Sequence, residues 1–297
     1  MRTPLTRTPF RAAAAIAVVL FGLSFLTSPM QSLANQFLTI FRVQDFAPVT
    51  ITSMQGMPDL TRFGDMTTPQ STGFRHQTVD TVAAASNAVG FGVKAPTTLP
   101  NGLPTEPTTI AVTASDTVSF TFRAEKARTY LDSIGRSDFS LPAKFDGATL
   151  QVQIPAAALL TYGPAAAESD GMRTRRQAAS DLAMNQIMVV QAKSPTVEAS
   201  GVSLQELRDF MLSLPGLPPE TAAQIRAIGD LGSTLPVPVP AGESARKIQV
   251  NGAPGVIFAE ANSRISGGIV WQRDGIVYAA AGALNESELL TLAGSVR

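Results

Sequence analysis

Side chains able to do chemistry are scarce in this chain, and the scarcity excludes more than it suggests. Among 297 residues there is one histidine, His76, and no cysteine. Without cysteine, disulfides, thiolate metal sites and cysteine nucleophiles are excluded together. One imidazole does not build a His-rich metal site, and any nucleophile–histidine arrangement would have to run through it. No Gly-x-Ser-x-Gly elbow occurs. Asp132, Asp138 and Asp146 are the candidate acids, and each sits in an ordinary surface-like context. The sequence therefore assigns no catalytic residue, no metal ligand and no cofactor, and points away from an enzyme. His76, between Arg75 and Gln77 in a predicted strand, is a candidate envelope pH sensor, since histidine is the side chain whose ordinary charge change falls near neutral pH. Its simpler role is that of a surface or hydrogen-bonded histidine.

Two groups remain as a candidate ligand or partner surface. Trp271 and Tyr278 flank Asp274-Gly275, a dipeptide that supplies the positive φ angles of a type I′ turn, so the hairpin brings the two rings together across its strands. They make either a ligand-stacking wall or a cross-strand pair that supports the hairpin. Arg173, Arg175 and Arg176 form a basic cluster inside a polar break, Pro164 to Asp181, expected to be a mobile loop or an exposed helix. A cluster of this kind suits anionic headgroups or a protease, or is a solvated connection. Lys plus Arg and Asp plus Glu both number 23, giving no net charge, which argues against a nucleic-acid partner.

The elements that must position these residues read as a mixture. Strands are predicted at 46–52, 74–79, 108–114, 117–123, 148–154, 158–162 and 186–192, followed by a C-terminal meander at 247–250, 255–259, 269–273 and 276–280. Helices are predicted over Met57 to Gly64, from an Asp80 cap to Gly90, and over Ala124 to Ile134. Ser203 and Glu206 form a capping-box pattern before an apolar helical face, and Pro219 opens a second helix, Glu220 to Ile228. Leu235-Pro236-Val237-Pro238-Val239-Pro240 should be extended and poor in hydrogen bonds, either a stiff connector or a docking strip. Asn285 caps a last helix with Glu286 and Glu288 in its first turn, which must fold back over the sheet.

The N-terminus supplies an address. Arg2, Arg7 and Arg11 precede the apolar run Ala12 to Leu26, a pattern that places a short N-terminus in the cytoplasm and the bulk of the chain outside it. The run has 15 residues, short of the roughly 20 needed to span a bilayer. Leu33, Phe37, Leu38, Ile40 and Phe41 continue it at helical spacing and favour an uncleaved single-pass anchor, with the membrane as partner through residues 12–26. Ser32-Leu33-Ala34 keeps a cleaved signal peptide open as the alternative. The expected organisation is an anchor or signal at 1–30, a membrane-proximal helix and strands at 31–79, and an extracytoplasmic domain at 80–297. The expected class is α+β, with an N-terminal transmembrane helix followed by a mainly antiparallel sheet packed with several helices.

Ala88-Val89-Gly90-Phe91, Pro96 and Leu99-Pro100, together with the C-terminal run GIVWQRDGIVYAAAGALNESELLTLA from Gly268, resemble a known pattern. It is that of the extracytoplasmic domain of uncharacterised function found in membrane-anchored anti-sigma factors and related transmembrane regulators. The resemblance touches both ends of residues 80–297. It implies a tethered sensory or regulatory domain in a bacterial cell envelope that takes part in signal transduction and meets another envelope or regulatory protein. About eleven residues precede the apolar run here, without the His and Cys of the cytoplasmic zinc site such regulators often carry. The alternative function is a lipid or lipoprotein carrier or sensor built on a curved sheet closed by helices, which requires an apolar cavity.

Overall fold

The computed structural model describes residues 45–51, 60–67, 76–100, 103–164, 186–213, 234–240, 244–259 and 267–297, with the isolated positions 215, 219, 222, 223 and 226. The expected apolar segment 12–26, its continuation to Phe41, most of the predicted helix 220–228 and the polar break from 165 onward lie outside the described residues.

The α+β expectation is overturned: the described residues are mostly β. They form fourteen strands and four α-helices, each helix no longer than ten residues. No helix among the described residues is long and apolar enough to cross a membrane. The expectation undercounted strands in three places. Gly64 to Thr67, partly assigned to a helix, is a strand preceded only by a 3-10 turn at Leu60–Arg62. Thr196–Ser200 had no element assigned to it and is a strand. The proline-alternating strip is a strand as well, Thr234–Pro240.

Strands are numbered in chain order: β1 Asp45–Ile51, β2 Gly64–Thr67, β3 His76–Thr78, β4 Thr109–Thr113, β5 Asp116–Phe122, β6 Thr149–Ile154, β7 Ala157–Tyr162, β8 Ile187–Lys193 and β9 Thr196–Ser200. They continue with β10 Thr234–Pro240, β11 Ala245–Val250, β12 Ala253–Phe258, β13 Gly267–Arg273 and β14 Ile276–Gly282. The helices are α1 Val82–Val89, α2 Ala124–Ser133, α3 Leu204–Ser213 and α4 Glu286–Ser295. An eight-stranded antiparallel sheet has the order β11-β12-β13-β14-β8-β7-β4-β3, a four-stranded one the order β2-β5-β6-β9, and β1 pairs with β10 alone.

The two larger sheets share their backbone. β4 runs into β5, β6 into β7 and β8 into β9, each across two residues: 114–115, 155–156 and 194–195. The order β4-β7-β8 in one sheet matches β5-β6-β9 in the other, so three long strands bend side by side at one corner. Two of the three breaks contain a proline, Pro155 and Pro195, which has no N–H to give a ladder. Thr113 Oγ1 accepts from the Ala157 N–H across the corner (3.1 Å).

Alternation along the strands then builds separate cores. One face of the eight-stranded sheet, including Ile110, Leu160, Val189 and Ile269, packs with Ala85 and Val89 of α1 and Leu289, Leu292 and Ala293 of α4. On the opposite face Val190, Val256, Val270 and Ala279 pack with Phe46 of β1 and Leu235, Val237 and Val239 of β10. The four-stranded sheet buries Phe120, Phe122 and Leu150 with Ala127 of α2, Leu207 and Phe210 of α3, and Phe145.

The β1–β10 ladder is parallel, with Pro48 opposite Val237. A ladder needs N–H donors, and Pro236, Pro238 and Pro240 have none. The donors facing β1 are therefore Leu235, Val237 and Val239, and the prolines turn their missing N–H groups to the outer edge. In this register Pro48 also points its nitrogen away from β10. The strip expected to be poor in hydrogen bonds thus completes a ladder on one side and presents an edge without donors from residue 236 to residue 240 on the other.

Local signals were followed closely elsewhere. Asn285 and Glu288 form a capping box on α4, and Ser203 and Glu206 exchange the same bonds before α3. Asp274 and Gly275 adopt φ of 54° and 77°, as the β13–β14 turn requires. The cap of α1 is Thr81 rather than Asp80: its hydroxyl accepts from the Ala84 N–H (3.0 Å), and Gly90 ends the helix with φ 69°.

Candidate functional site

The β13–β14 turn fixes which residues meet. Trp271 lies directly opposite Tyr278, and the register carries the row onward through Gln191 of β8, Ala158 of β7 and Val112 of β4. The Trp271 and Tyr278 rings stack with centroids 5.2 Å apart and planes within 10°. On the other side of Trp271 the row is occupied by Gly255 of β12. A side chain there would meet Val270 O at 2.6 Å and Trp271 Cβ at 3.0 Å, so the glycine gives the indole its space.

The pair is enclosed. Trp271 has no exposed surface and Tyr278 only 4 %. Gln191, also without exposed surface, accepts from the Lys94 N–H at its Oε1 (2.8 Å) and donates from Nε2 to Lys94 O (2.5 Å). A primary amide satisfied on both sides by one backbone residue pins the segment after α1 to the sheet. The end of α4 adds further stitches: Pro96 bridges Val296, the Thr97 N–H donates to Ser295 O (3.3 Å), and Ser295 Oγ donates to Thr98 O (3.2 Å). Arg273 closes the edge, its Nη2 donating to Val296 O (2.8 Å) and its guanidinium carbon 5.7 Å from the centre of the Tyr278 ring.

Three buried polar atoms among the described residues make no hydrogen bond to protein: Trp271 Nε1, Tyr162 Oη and Ser119 Oγ. Burial pushes the Tyr162 phenol up, so it stays protonated at any physiological pH. Trp271 and Tyr162 belong to the same core face but to different strands and rows, so they do not form a shared polar constellation.

The other sequence candidates are distributed. Arg173, Arg175 and Arg176 lie outside the described residues. His76 opens β3, its backbone paired with Thr113. Asp146 has structural work: its Oδ1 accepts from the Ala124 N–H (2.9 Å) at the start of α2. Asp138 pairs with Arg136 (3.1 Å), and Asp132 is exposed on α2. Among the described residues no group of three or more His, Cys, Asp or Glu is placed to hold a metal ion. Among the described residues Asp65 pairs with both Arg123 (2.6 Å) and Lys126 (2.8 Å). Lys126 and then Arg123 hydrogen-bond the Asp65 carboxylate and lower its pKa.

No family model, curated protein or solved structure matches the chain. Its function must therefore be argued from its own residues. Gln191 and Arg273 are the site residues that sequence reasoning missed. Gln191 had a signal, being a polar residue at an inward position between Val190 and Ala192. Arg273 carried none, because its partner Val296 is 23 residues away.

Proposed function

We propose that the chain is a non-enzymatic sensory or regulatory module, held at the membrane by residues 12–26 with its body outside the cytoplasm, of the kind found in anti-sigma-factor-type regulators. The observation that supports this most is the entry of the chain into the body. β1 begins at Asp45, shortly after the apolar segment, and Phe46 is already without exposed surface in the core. Displacement that reaches Asp45 therefore acts on the packed layer of the eight-stranded sheet.

The lipid-carrier alternative needs room for an acyl chain. Both faces of the eight-stranded sheet are occupied by protein side chains, so a lipid would enter only by displacing one cover. Fatty acids and phospholipids are accordingly expected to leave the melting temperature of the purified protein unchanged.

Reporter fusions after Arg297 test the proposal. An alkaline-phosphatase reporter is expected to be active and a cytoplasmic fluorescent reporter dark, with the product retained in carbonate-washed membranes. A reporter active only in the cytoplasm overturns it.

A further inference from the structure

We propose that β1 is a withdrawable strap: drawn from its N-terminal end it leaves β10 and the sheet as one unit, while the eight-stranded sheet stays folded. What pulls it rests on the tethered reading above; that it opens separately rests on geometry alone.

Among the described strands β10 is β1's only ladder partner, in a parallel two-stranded ribbon. Parallel pairing is slightly weaker per residue than antiparallel, and an isolated two-stranded unit is marginal without packing. The ribbon has little means of joining a larger sheet through β10, because Pro236, Pro238 and Pro240 leave Thr234 as the one N–H donor of the strand on that outer edge. It therefore lies against a sheet face instead of extending the sheet, and its hold depends on side-chain packing.

Beneath the ribbon the sheet presents Ala157, Ala279 and Ala281 among Val190, Val256, Val270, Val277 and Phe258. Among the described residues Phe46 is the β1 side chain in that core, so the apolar hold on β1 is concentrated next to its N-terminal end. The polar attachment of β1 to the sheet is at its first residue, where Asp45 pairs with Lys247 of β11. Both side chains are about half exposed, and such surface pairs contribute little. This attachment is the first reached by a pull from the N-terminal side. The antiparallel ladders of β12, β13, β14 and β8 do not pass through β1, so its departure breaks none of them.

Hydrogen exchange on the full chain in detergent micelles tests the strap. The β1 amides and those of Leu235, Val237 and Val239 are expected to exchange at least about tenfold faster than the β13–β14 amides, through an opening short of global unfolding. The absence of cysteine from the chain allows a lock: Ala47→Cys with Pro236→Cys joins two register partners. Oxidation is expected to slow ribbon exchange to the β13–β14 rate, and reduction to restore it. Equal exchange of ribbon and β13–β14 in the unmodified protein overturns the strap even if the double variant fails to fold. Ribbon exchange that stays fast after verified oxidation also overturns it. A failed topology reporter with fast ribbon exchange removes the tether and leaves the strap.

Discussion

The two ends of the bent sheet are built from different materials and closed from different distances. The four-stranded end is a phenylalanine cluster in which Phe210 stacks on Phe145 (4.1 Å) and meets Phe122 edge-on (5.2 Å). Its covers are local, since α2 follows β5 after one residue and α3 follows β9 after three. The eight-stranded body is mainly aliphatic and alanine, with one stacked Trp–Tyr pair. Its helices follow their strands as closely, α1 three residues after β3 and α4 three after β14, but the bonds that fasten its covers are remote: the Ser295–Thr98 bond spans 197 residues and the Lys247–Asp45 pair spans 202. Covers fastened locally close a core through short-range contacts, which favours early formation. Remote covers make a core whose lids can be addressed separately from its sheet.

The largest effect expected is at the body's aromatic centre. Trp271→Ala removes a side chain with no exposed surface and should cost about 3–5 kcal/mol, read as a lower urea midpoint by far-ultraviolet circular dichroism. Next, Phe210→Ala at the other end should cost about 3 kcal/mol. Trp271 is the only tryptophan, so fluorescence reports the body while circular dichroism reports the whole. Because three strands run through both ends, the two midpoints should fall together in Phe210→Ala. A fluorescence midpoint that does not move would show that the ends unfold independently.

Smaller effects sharpen the contrast. At Gly268 an added Cβ would sit 2.3 Å from the Phe258 ring, so Gly268→Ala should cost about 1–3 kcal/mol through overpacking of the body. Gly92→Ala, with nothing within 4 Å of the new atom, is the control and should leave the melting temperature in place. Ser203→Ala removes the hydroxyl that accepts from the Glu206 N–H (3.1 Å) and should cost about 1 kcal/mol at the four-stranded end.

The smallest effect is a titration. The Lys144 ammonium, with the Ser203 N–H and hydroxyl, holds the Glu206 carboxyl at about 2, below its usual 4.5. A depressed carboxylate contributes stability above its unfolded pKa and loses it as pH falls through the folded one. The wild type should therefore lose melting temperature between about pH 5 and about pH 2.5 more steeply than Glu206→Gln, with that part of the slope absent in the variant.

Legibility followed sequence separation. Asp274-Gly275, Asn285 with Glu288, and Ser203 with Glu206 were readable because each motif completes itself within four residues, and the turn in turn fixed Trp271 against Tyr278. The choice of Thr81 over Asp80 was not, since both are good cap residues and the packing of α1 decided between them. β10 was misjudged for a different reason. Alternating prolines read as a loss of hydrogen bonds only until a partner is found that needs donors on the other residues, and that partner, β1, lies nearly two hundred residues earlier. The excess of β structure over the expected mixture arose the same way, from strands such as β9 whose identity depends on a neighbour.

The last stitches of the body also impose an order of events during synthesis. Val296 must be present to bridge Pro96 and to accept from Arg273. A growing chain can assemble the phenylalanine end once residue 213 has emerged, but α4 joins α1 on the helical face of the aliphatic body only after residue 296 has been made. Contacts so remote in sequence also make closure slow. A nascent chain of this protein thus exposes the α4-facing part of its sheet in the interval between β14 and residue 296, and loss of the final turn of α4 would remove the Pro96 bridge and the Arg273 bond.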